Sequence, residues 1–222
     1  MDISVRRTFS KIVSHPKIYK FQKALLRGEK LDARLEQAVG SVSARLDSAT
    51  IINIGGGSAT SRAMWPDSWK YISIDPDARV LSLENSESKI ERILGNAEEI
   101  PLPDNFADVV LMESVSHHLD ESTWISSLTE INRVIKPNGY FIFLDGVWSP
   151  RRWISRIFWR LDAGWFPKTS NELEISIKTK FEVESVEKFT LIHECILIIA
   201  NPKKKLNNDK YYFANFQRSR IY

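Results

Sequence analysis

The amino-acid sequence predicts an α/β sandwich built on a mostly parallel sheet. Three features carry that expectation. Apolar strand-like runs alternate with helical patterns between residues 50 and 146, and the run TIINIG opens directly into Gly55, Gly56 and Gly57. FADVVLMES (106–114) is apolar almost without interruption, as a strand covered on both faces must be. A chain of 222 residues with 43% hydrophobic and 27% charged residues has the composition of one ordinary globular domain. At that length roughly 70% of the extended chain's surface can be buried, enough for a core without disulfide or metal support.

The elements follow in order. Residues 16–39 read as one or two helices whose stripe of Tyr19, Leu25, Leu26, Leu31 and Leu35 is broken near Gly28, with Gly40 as a stop. They form an N-terminal helical cap, residues 1–40, over the domain that follows. After the first strand and its glycines, a helix is expected from about Ser58 to Arg62. KYISID (70–75) is a second strand ending in Asp75, and ARVLSLENS after it reads as a helix. ERIL (91–94) is a brief third strand and FADVVLMES the fourth. TWISSLTEINRVI (123–135) is a helix with an apolar stripe of Trp124, Ile125, Leu128, Ile131, Val134 and Ile135. KPNG (136–139) is a turn into the fifth strand, YFIFLDG (140–146), and FEVESVEKFTLI (181–192) with ECILIIA (194–200) closes the domain as a hairpin.

The net charge of +3 is unevenly distributed: residues 1–30 carry +6, residues 201–222 carry +5, and the body between them carries −8. Nucleic-acid binding by the body is therefore disfavoured, while an anionic partner for the basic ends, including an anionic membrane surface, remains open. The single cysteine, Cys195, excludes an intramolecular disulfide and a cysteine-rich zinc site, and its setting in ECILIIA favours a packed thiol in a reducing compartment. No metal site is expected. No segment reaches the roughly 18 apolar residues of a membrane span, and the N-terminus lacks the apolar stretch of a secretory signal, so a cytoplasmic location is expected.

A strand that enters a glycine turn and then a helix leaves unpaired amide groups, where a carboxylate or phosphate can bind. In GGGSAT (55–60) the dinucleotide fingerprint GxGxxG is met at Gly55 and Gly57 and fails at Thr60. The absence of a following Gly-Lys-Ser/Thr excludes a phosphate-binding P-loop. Alone, the cluster is weak evidence, and a tight structural turn is its competing reading. Asp75 shifts the balance, because it lies 20 residues after Gly55 at the end of the next strand, where an acid can accept two hydrogen bonds from a ribose diol. The competing reading is a solvent-facing Asp that begins the turn before Pro76. Asn96, Ala97 and Glu98 follow the third strand on the side of the sheet where ligands of such folds collect, and an amide there can pair with a purine edge or simply form a turn.

Taken together and in this order, TIINIGGGSA, YISIDPD, GNAEEIPLPDNFADVVLMESVSHHLD and INRVIKPNGYFIFLDG resemble class I S-adenosylmethionine-dependent methyltransferases. Within that class they resemble the type 11 group related to quinone-biosynthesis C-methyltransferases, closely over residues 50–146, and residues 181–200 are similar to the family's closing antiparallel pair. The resemblance implies a Rossmann-like three-layer sandwich whose seven-stranded mixed sheet has the order 3-2-1-4-5-7-6, with strand 7 antiparallel. It implies S-adenosylmethionine as cofactor and S-adenosylhomocysteine as product. By the same resemblance Gly55 and Gly57 approach the methionine part, Asp75 with Pro76 beside it holds the ribose, Asn96 and Ala97 with Glu98 border the adenine, and Glu113 begins the wall facing methionine and substrate. Three positions depart from the family pattern: Asn53 stands for an Asp, Ala59 for a third glycine, tolerable at negative φ, and Asn96 for an acid.

A sulfonium donor carries its own reactive methyl group, so the protein mainly aligns donor and acceptor, while a protic acceptor still needs its proton removed. His117, His118 and His193 are the candidate bases, the first two on the loop after the fourth strand and the third at the bend of the hairpin. The bland structural alternative outweighs base catalysis for each of them, and His118 before Leu119 reads as a residue that packs or caps the loop. Residues 147–169 are read as a Trp/Arg-rich substrate lid: Trp148, Trp153, Trp159 and Trp165 lie in it, and Arg152, Arg156 and Arg160 recur every fourth position on an expected helix over 151–162. It suits an aromatic or lipid-like acceptor, an anionic membrane surface, or plain cover for the core. The rival readings are an NAD-dependent oxidoreductase, disfavoured by Thr60 and the HHL block, and a noncatalytic S-adenosylmethionine-binding or membrane-associated partner protein.

Overall fold

A computed structural model describes the backbone of residues 16–29 and the full structure of residues 30–79, 90–150, 152, 155, 159, 166–191 and 193–203. Helix α1 (Pro16–Ser43) leads into strands β1 (Thr50–Ile54), β2 (Lys70–Asp75), β3 (Ile90–Leu94) and β4 (Ala107–Glu113). Helix α2 (Glu121–Val134), strand β5 (Ile135–Val147), helix α3 (Ser170–Lys180) and strands β6 (Phe181–Thr190) and β7 (Glu194–Pro202) complete the chain. The sheet order is β3-β2-β1-β4-β5-β7-β6. Strands β1 to β5 run parallel, and β7 lies antiparallel between β5 and β6. The fold is thus the Rossmann-like sandwich expected, with its seven-stranded mixed sheet.

Alternation along each strand feeds two separate cores, which is why the central strands are apolar on both sides. Ile52, Ile54, Val110, Met112, Phe141 and Phe143 face α2 and α3, packing on Trp124, Leu128, Ile131, Leu173 and Ile177. Ile51, Val109, Leu111, Ile142 and Leu144 face the other way, onto Leu35, Ala38, Val39 and Val42 of α1. Two side-chain contacts tie elements together: Trp124 Nε1 donates to Ser176 Oγ at 2.8 Å between α2 and α3 on one face, and Arg45, two residues past α1, pairs with Glu184 of β6.

Several elements differ from the sequence expectation, each for a physical reason. Helix α1 runs unbroken through Gly28 and passes Gly40 to Ser43, because the burial of Val39 and Val42 outweighs the roughly 1 kcal/mol that an interior glycine costs. In place of a helix from Ser58 there is one short 3-10 turn, Thr60–Met64, ended by Trp65, whose extended backbone (ψ 152°) suits the residue before Pro66. Helix α2 starts two residues early, where Asp120 accepts from the Thr123 amide at 2.8 Å. The KPNG segment does not leave the sheet. It is an irregularity inside β5, where pairing with β4 jumps from Ala107↔Ile135 to Val109↔Tyr140.

Helix α3 was absent from the expectations, although Thr169 and Glu172 form the reciprocal capping box that announces it. Within the expected lid, residues 147–169, Ser155 and Trp159 are helical and one turn apart; most of that segment, the expected helix after β2 beyond Arg79, residues 1–15 and the basic residues from 204 on lie outside the described residues. Among the described residues no helix is long and apolar enough to cross a membrane.

Candidate functional site

The parallel strands bring Ile54, Asp75, Leu94, Glu113 and Val147 to one edge of the sheet, and the antiparallel β7 starts at that edge, opposite Val147. The candidate residues lie at these strand ends or on the loops beside them. The glycine turn after β1 is pinned to β2: the Gly55 and Gly56 amides donate to the Ile74 carbonyl, and the Gly57 amide donates to Asp75 Oδ2 at 3.0 Å. Asp75 Oδ1 accepts from the Asp77 amide at 2.9 Å, and Arg92 of β3 donates to the Gly57 carbonyl at 3.1 Å. A half-buried carboxylate with about four acceptor sites retains capacity for a diol beyond these two amides.

Gly55 and Gly57 both have positive φ (66° and 50°), but for different surroundings. A Cβ on Gly55 would lie against Val115 Cγ2, whereas a Cβ on Gly57 would meet no atom of the described residues within 4 Å. The open side of Gly57, beside the Asp75 carboxylate, is a cradle in which a ligand can approach bare backbone. Ala59 also takes a left-handed conformation (φ 55°, ψ 38°), so the negative φ expected there is corrected. Its methyl group is buried in the core, and its amide and carbonyl are tied to Gly56 and Arg62, contacts that hold the strained turn.

Beneath the turn lies a buried polar layer. Asn53 Nδ2 donates to Tyr71 Oη at 2.8 Å and to Ser61 Oγ at 3.2 Å, and those two hydroxyls are 2.9 Å apart. Burial pushes the Tyr71 phenol up to about 12 despite the bonds to Ser61 and Asn53. An Asp at position 53 would put a charge into this layer. The neutral amide suits it, and Asn53 acts as a brace for the turn.

A second cluster occupies the ends of β4 and β5. Asp145, 1% exposed, receives three donors: His117 Nδ1 at 2.8 Å on Oδ1, with the Ser116 amide at 2.8 Å and Ser116 Oγ at 2.6 Å on Oδ2. Burial alone would raise the Asp145 carboxyl; the attraction of the His117 ring when it is protonated, the hydrogen bond from His117 and the two Ser116 donors outweigh it and hold it below its ordinary value. The His turn is also gripped by residues just before α3. Lys168 Nζ donates to the Ser116 and Leu119 carbonyls at 2.9 and 2.6 Å, and the Phe166 amide donates to the His117 carbonyl. Burial lowers the Lys168 ammonium from its ordinary value, against the attraction of Glu121 and Asp145.

Aromatic contacts extend the cluster. The His117 ring lies 4.2 Å from His118 and edge-on to Trp159 at 5.4 Å, and Trp159 lies 5.0 Å from His193. Ser155 Oγ is 2.8 Å from His193 Nδ1.

The structure therefore brings together Gly55, Gly57, Asp75 and Pro76 on one side, and His117, His118 and His193 on the other. The Gly55–Val115 contact joins them, two residues before His117. Asn96, Ala97 and Glu98 follow β3, with only Ala97 buried, and Glu113 ends β4 half-buried. Sequence reasoning missed Asp145, Ser116, Lys168 and Arg92. The acid of FLDG at a strand end was a visible signal, since Asp75 was recognised in the same setting; the lone Lys168 offered none.

Fold and site define a nucleoside-binding α/β domain of the doubly wound kind, with an acid-anchored glycine cradle and a histidine turn at the same sheet edge. Residues 52–143 match the family model described as a methyltransferase domain. An uncharacterized methyltransferase of Bacillus subtilis, YcgJ, is 26% identical over 135 residues, covering 58% of this chain and 51% of the relative. A fatty-acid O-methyltransferase of Mycolicibacterium smegmatis is 29% identical over 92 residues, covering 41% of this chain and 33% of the relative. The chain thus spans about half or less of the length of these curated relatives. Among solved structures, the PH0226 protein of Pyrococcus horikoshii superposes with a TM-score of 0.67 at 16% identity, covering 86% of this chain and 100% of that one. The match places a class I S-adenosylmethionine-dependent methyltransferase domain of the type 11 group at residues 52–143.

Proposed function

We propose that the protein transfers a methyl group from S-adenosylmethionine to a small-molecule or lipid-linked acceptor. The observation that carries this reading is the open cradle at Gly57 beside the Asp75 carboxylate, in direct contact through Gly55 and Val115 with the turn that bears His117. The residues present fit the cofactor: Asp75 offers acceptors for the ribose hydroxyls, Gly55 and Gly57 offer bare backbone to the aminoacyl part, Asn96, Ala97 and Glu98 lie at the end of β3 for the adenine, and Pro76 and Glu113 border the space. When bound, the cofactor supplies an electrophilic methyl group, so the chain needs no covalent nucleophile.

The remaining work falls to the protein's own groups. Asp75 and the glycine turn bind and orient, Trp159 and Lys168 cover the His117 turn, and a histidine removes the acceptor's proton. Of His117, His118 and His193, the first has a buried carboxylate as partner and is the base in this reading. The fatty-acid O-methyltransferase relative supports a lipid-like acceptor, and the basic ends, +6 and +5, support contact with an anionic membrane surface at the site of such a substrate.

Calorimetry with S-adenosylhomocysteine and with NAD tests the cofactor, and transfer of an isotopically labelled methyl group into cell-extract components, read by product mass, tests the reaction. Binding of the sulfur nucleoside alone and one labelled small molecule or lipid are expected. A folded protein that binds NAD but not S-adenosylhomocysteine overturns the proposal.

A further inference from the structure

We propose that Asp145 is a positioning residue that fixes the tautomer of His117 and aims its Nε2 lone pair at a protic methyl acceptor, one that surrenders an O–H or N–H proton as it is methylated. The inference rests on the methyltransferase reading above and assigns the site a substrate class.

The hydrogen-bond inventory of Asp145 carries the argument. An ionised carboxylate only accepts, and all three groups that reach it must donate: the Ser116 amide and hydroxyl on Oδ2, and His117 on Oδ1. The His117 proton is therefore on Nδ1, and in the neutral ring the lone pair is on Nε2. Burying a charge this completely is costly unless it is fully bonded, and a plain packing histidine requires no such partner.

The arrangement also restricts where the ring can go. Lys168, the Phe166 amide and the 2.9 Å bond from the His118 amide to the Val115 carbonyl hold the main chain of the turn. Trp159 and His118 limit the ring itself. Val115 then places this turn against the glycine cradle. A base so fixed contributes only when the acceptor has a proton to give. The acceptor's oxygen or nitrogen takes the methyl group, its proton passes to Nε2, and the bonding pair of the broken carbon–sulfur bond stays on the thioether sulfur, so charge and electrons balance.

The test is the imidazole tautomer, read by long-range 1H–15N correlation on the full-length labelled protein at pH 9. In the wild type, His117 should be protonated on Nδ1 alone. In Asp145→Asn the two Ser116 donors claim the amide oxygen, which turns the NH2 toward His117 Nδ1 and moves the ring proton to Nε2. That variant should still bind S-adenosylhomocysteine, while labelled-methyl transfer into extract falls about 10²- to 10⁴-fold with little change in the S-adenosylmethionine KM. Asp145→Glu, which keeps an accepting charge, should retain the wild-type tautomer and recover part of the rate. A wild-type ring carrying its proton on Nε2, or on both nitrogens at pH 9, overturns the proposal even if Asp145→Asn does not fold. Full transfer activity in an Asp145→Asn protein with the reversed tautomer overturns it as well. Failure of the wild type to bind S-adenosylhomocysteine sinks the methyltransferase reading instead, and the tautomer is still measurable in that case.

Discussion

Gly55 and Gly57 share a left-handed backbone yet should respond to alanine in opposite ways. At Gly57 the added methyl meets no atom of the described residues within 4 Å, so among them only the positive φ opposes it. That strain is about 1–2 kcal/mol, offset by about 0.4–1 kcal/mol from the loss of chain freedom in the unfolded state. Gly57→Ala should therefore cost about 1 kcal/mol or less. At Gly55 the same strain is joined by a close contact with Val115 Cγ2, a β-branched side chain with little freedom to move away. Overpacking adds about 1–3 kcal/mol, for a total of about 2–4 kcal/mol. With an unfolding entropy of about 2.1 cal/mol/K per residue, each kcal/mol shifts the melting temperature of this chain by about 2 °C. Thermal unfolding should thus show a drop of up to about 2 °C for Gly57→Ala and about 4–8 °C for Gly55→Ala, with Val115→Ala restoring part of the latter. Binding should reverse the order of severity relative to stability: the Gly57 methyl fills the cradle and should weaken S-adenosylhomocysteine at least tenfold, about 1.4 kcal/mol, in a protein that melts almost normally. A Gly57→Ala protein with wild-type affinity would refute the assignment of the open space to the ligand. Equal melting shifts for the two variants would refute the Val115 contact as the reason for Gly55.

Two further outcomes follow from the site. Asp75→Ala should weaken S-adenosylhomocysteine binding much more than His193→Ala in the same calorimetric assay, and equal losses would contradict the division into a nucleoside side and an acceptor side. The Tyr71 phenol, raised by burial to about 12, contributes stability that is complete below its unfolded value of 10.0 and is lost as pH rises from 10 toward 12, by about 3 kcal/mol in all. Tyr71→Phe should be about 1 kcal/mol less stable than the wild type at pH 8, where its hydrogen bonds are missed, and more stable at pH 11.5; urea midpoints that stay parallel across that range would contradict the buried phenol.

What the sequence made legible was whatever is encoded by local pattern. The strands of the central sheet, the glycine turn and Asp75 were readable because a strand buried on both faces must be apolar and a left-handed turn favours glycine. The conformation of Ala59 was not, since its positive φ is imposed by bonds to Gly56 and Arg62 and not by its own preference. The KPNG segment carries turn chemistry and still remains in β5, because Lys136 pairs with both oxygens of Asp108 and holds the irregularity against β4. Lys168 and Arg92 were invisible for the opposite reason: each acts through main-chain carbonyls 49 to 52 and 35 residues away, and no local pattern marks such a partner.

The two halves of the candidate site are coupled through very few atoms. Val115 packs on Gly55, its carbonyl accepts the His118 amide, and the next residue, Ser116, gives both of its donors to Asp145. A displacement of the glycine turn is therefore transmitted to a side chain whose neighbours are fixed by a buried carboxylate and a buried ammonium, groups that move only at the cost of breaking charge-assisted bonds. The glycine turn and the turn that carries His117 meet through the packing of Val115 on Gly55, and the His117 turn is itself held by short, buried, directional bonds to Asp145 and Lys168. That rigidity suits a reaction in which the donor brings the reactive group and the protein's main contribution is alignment.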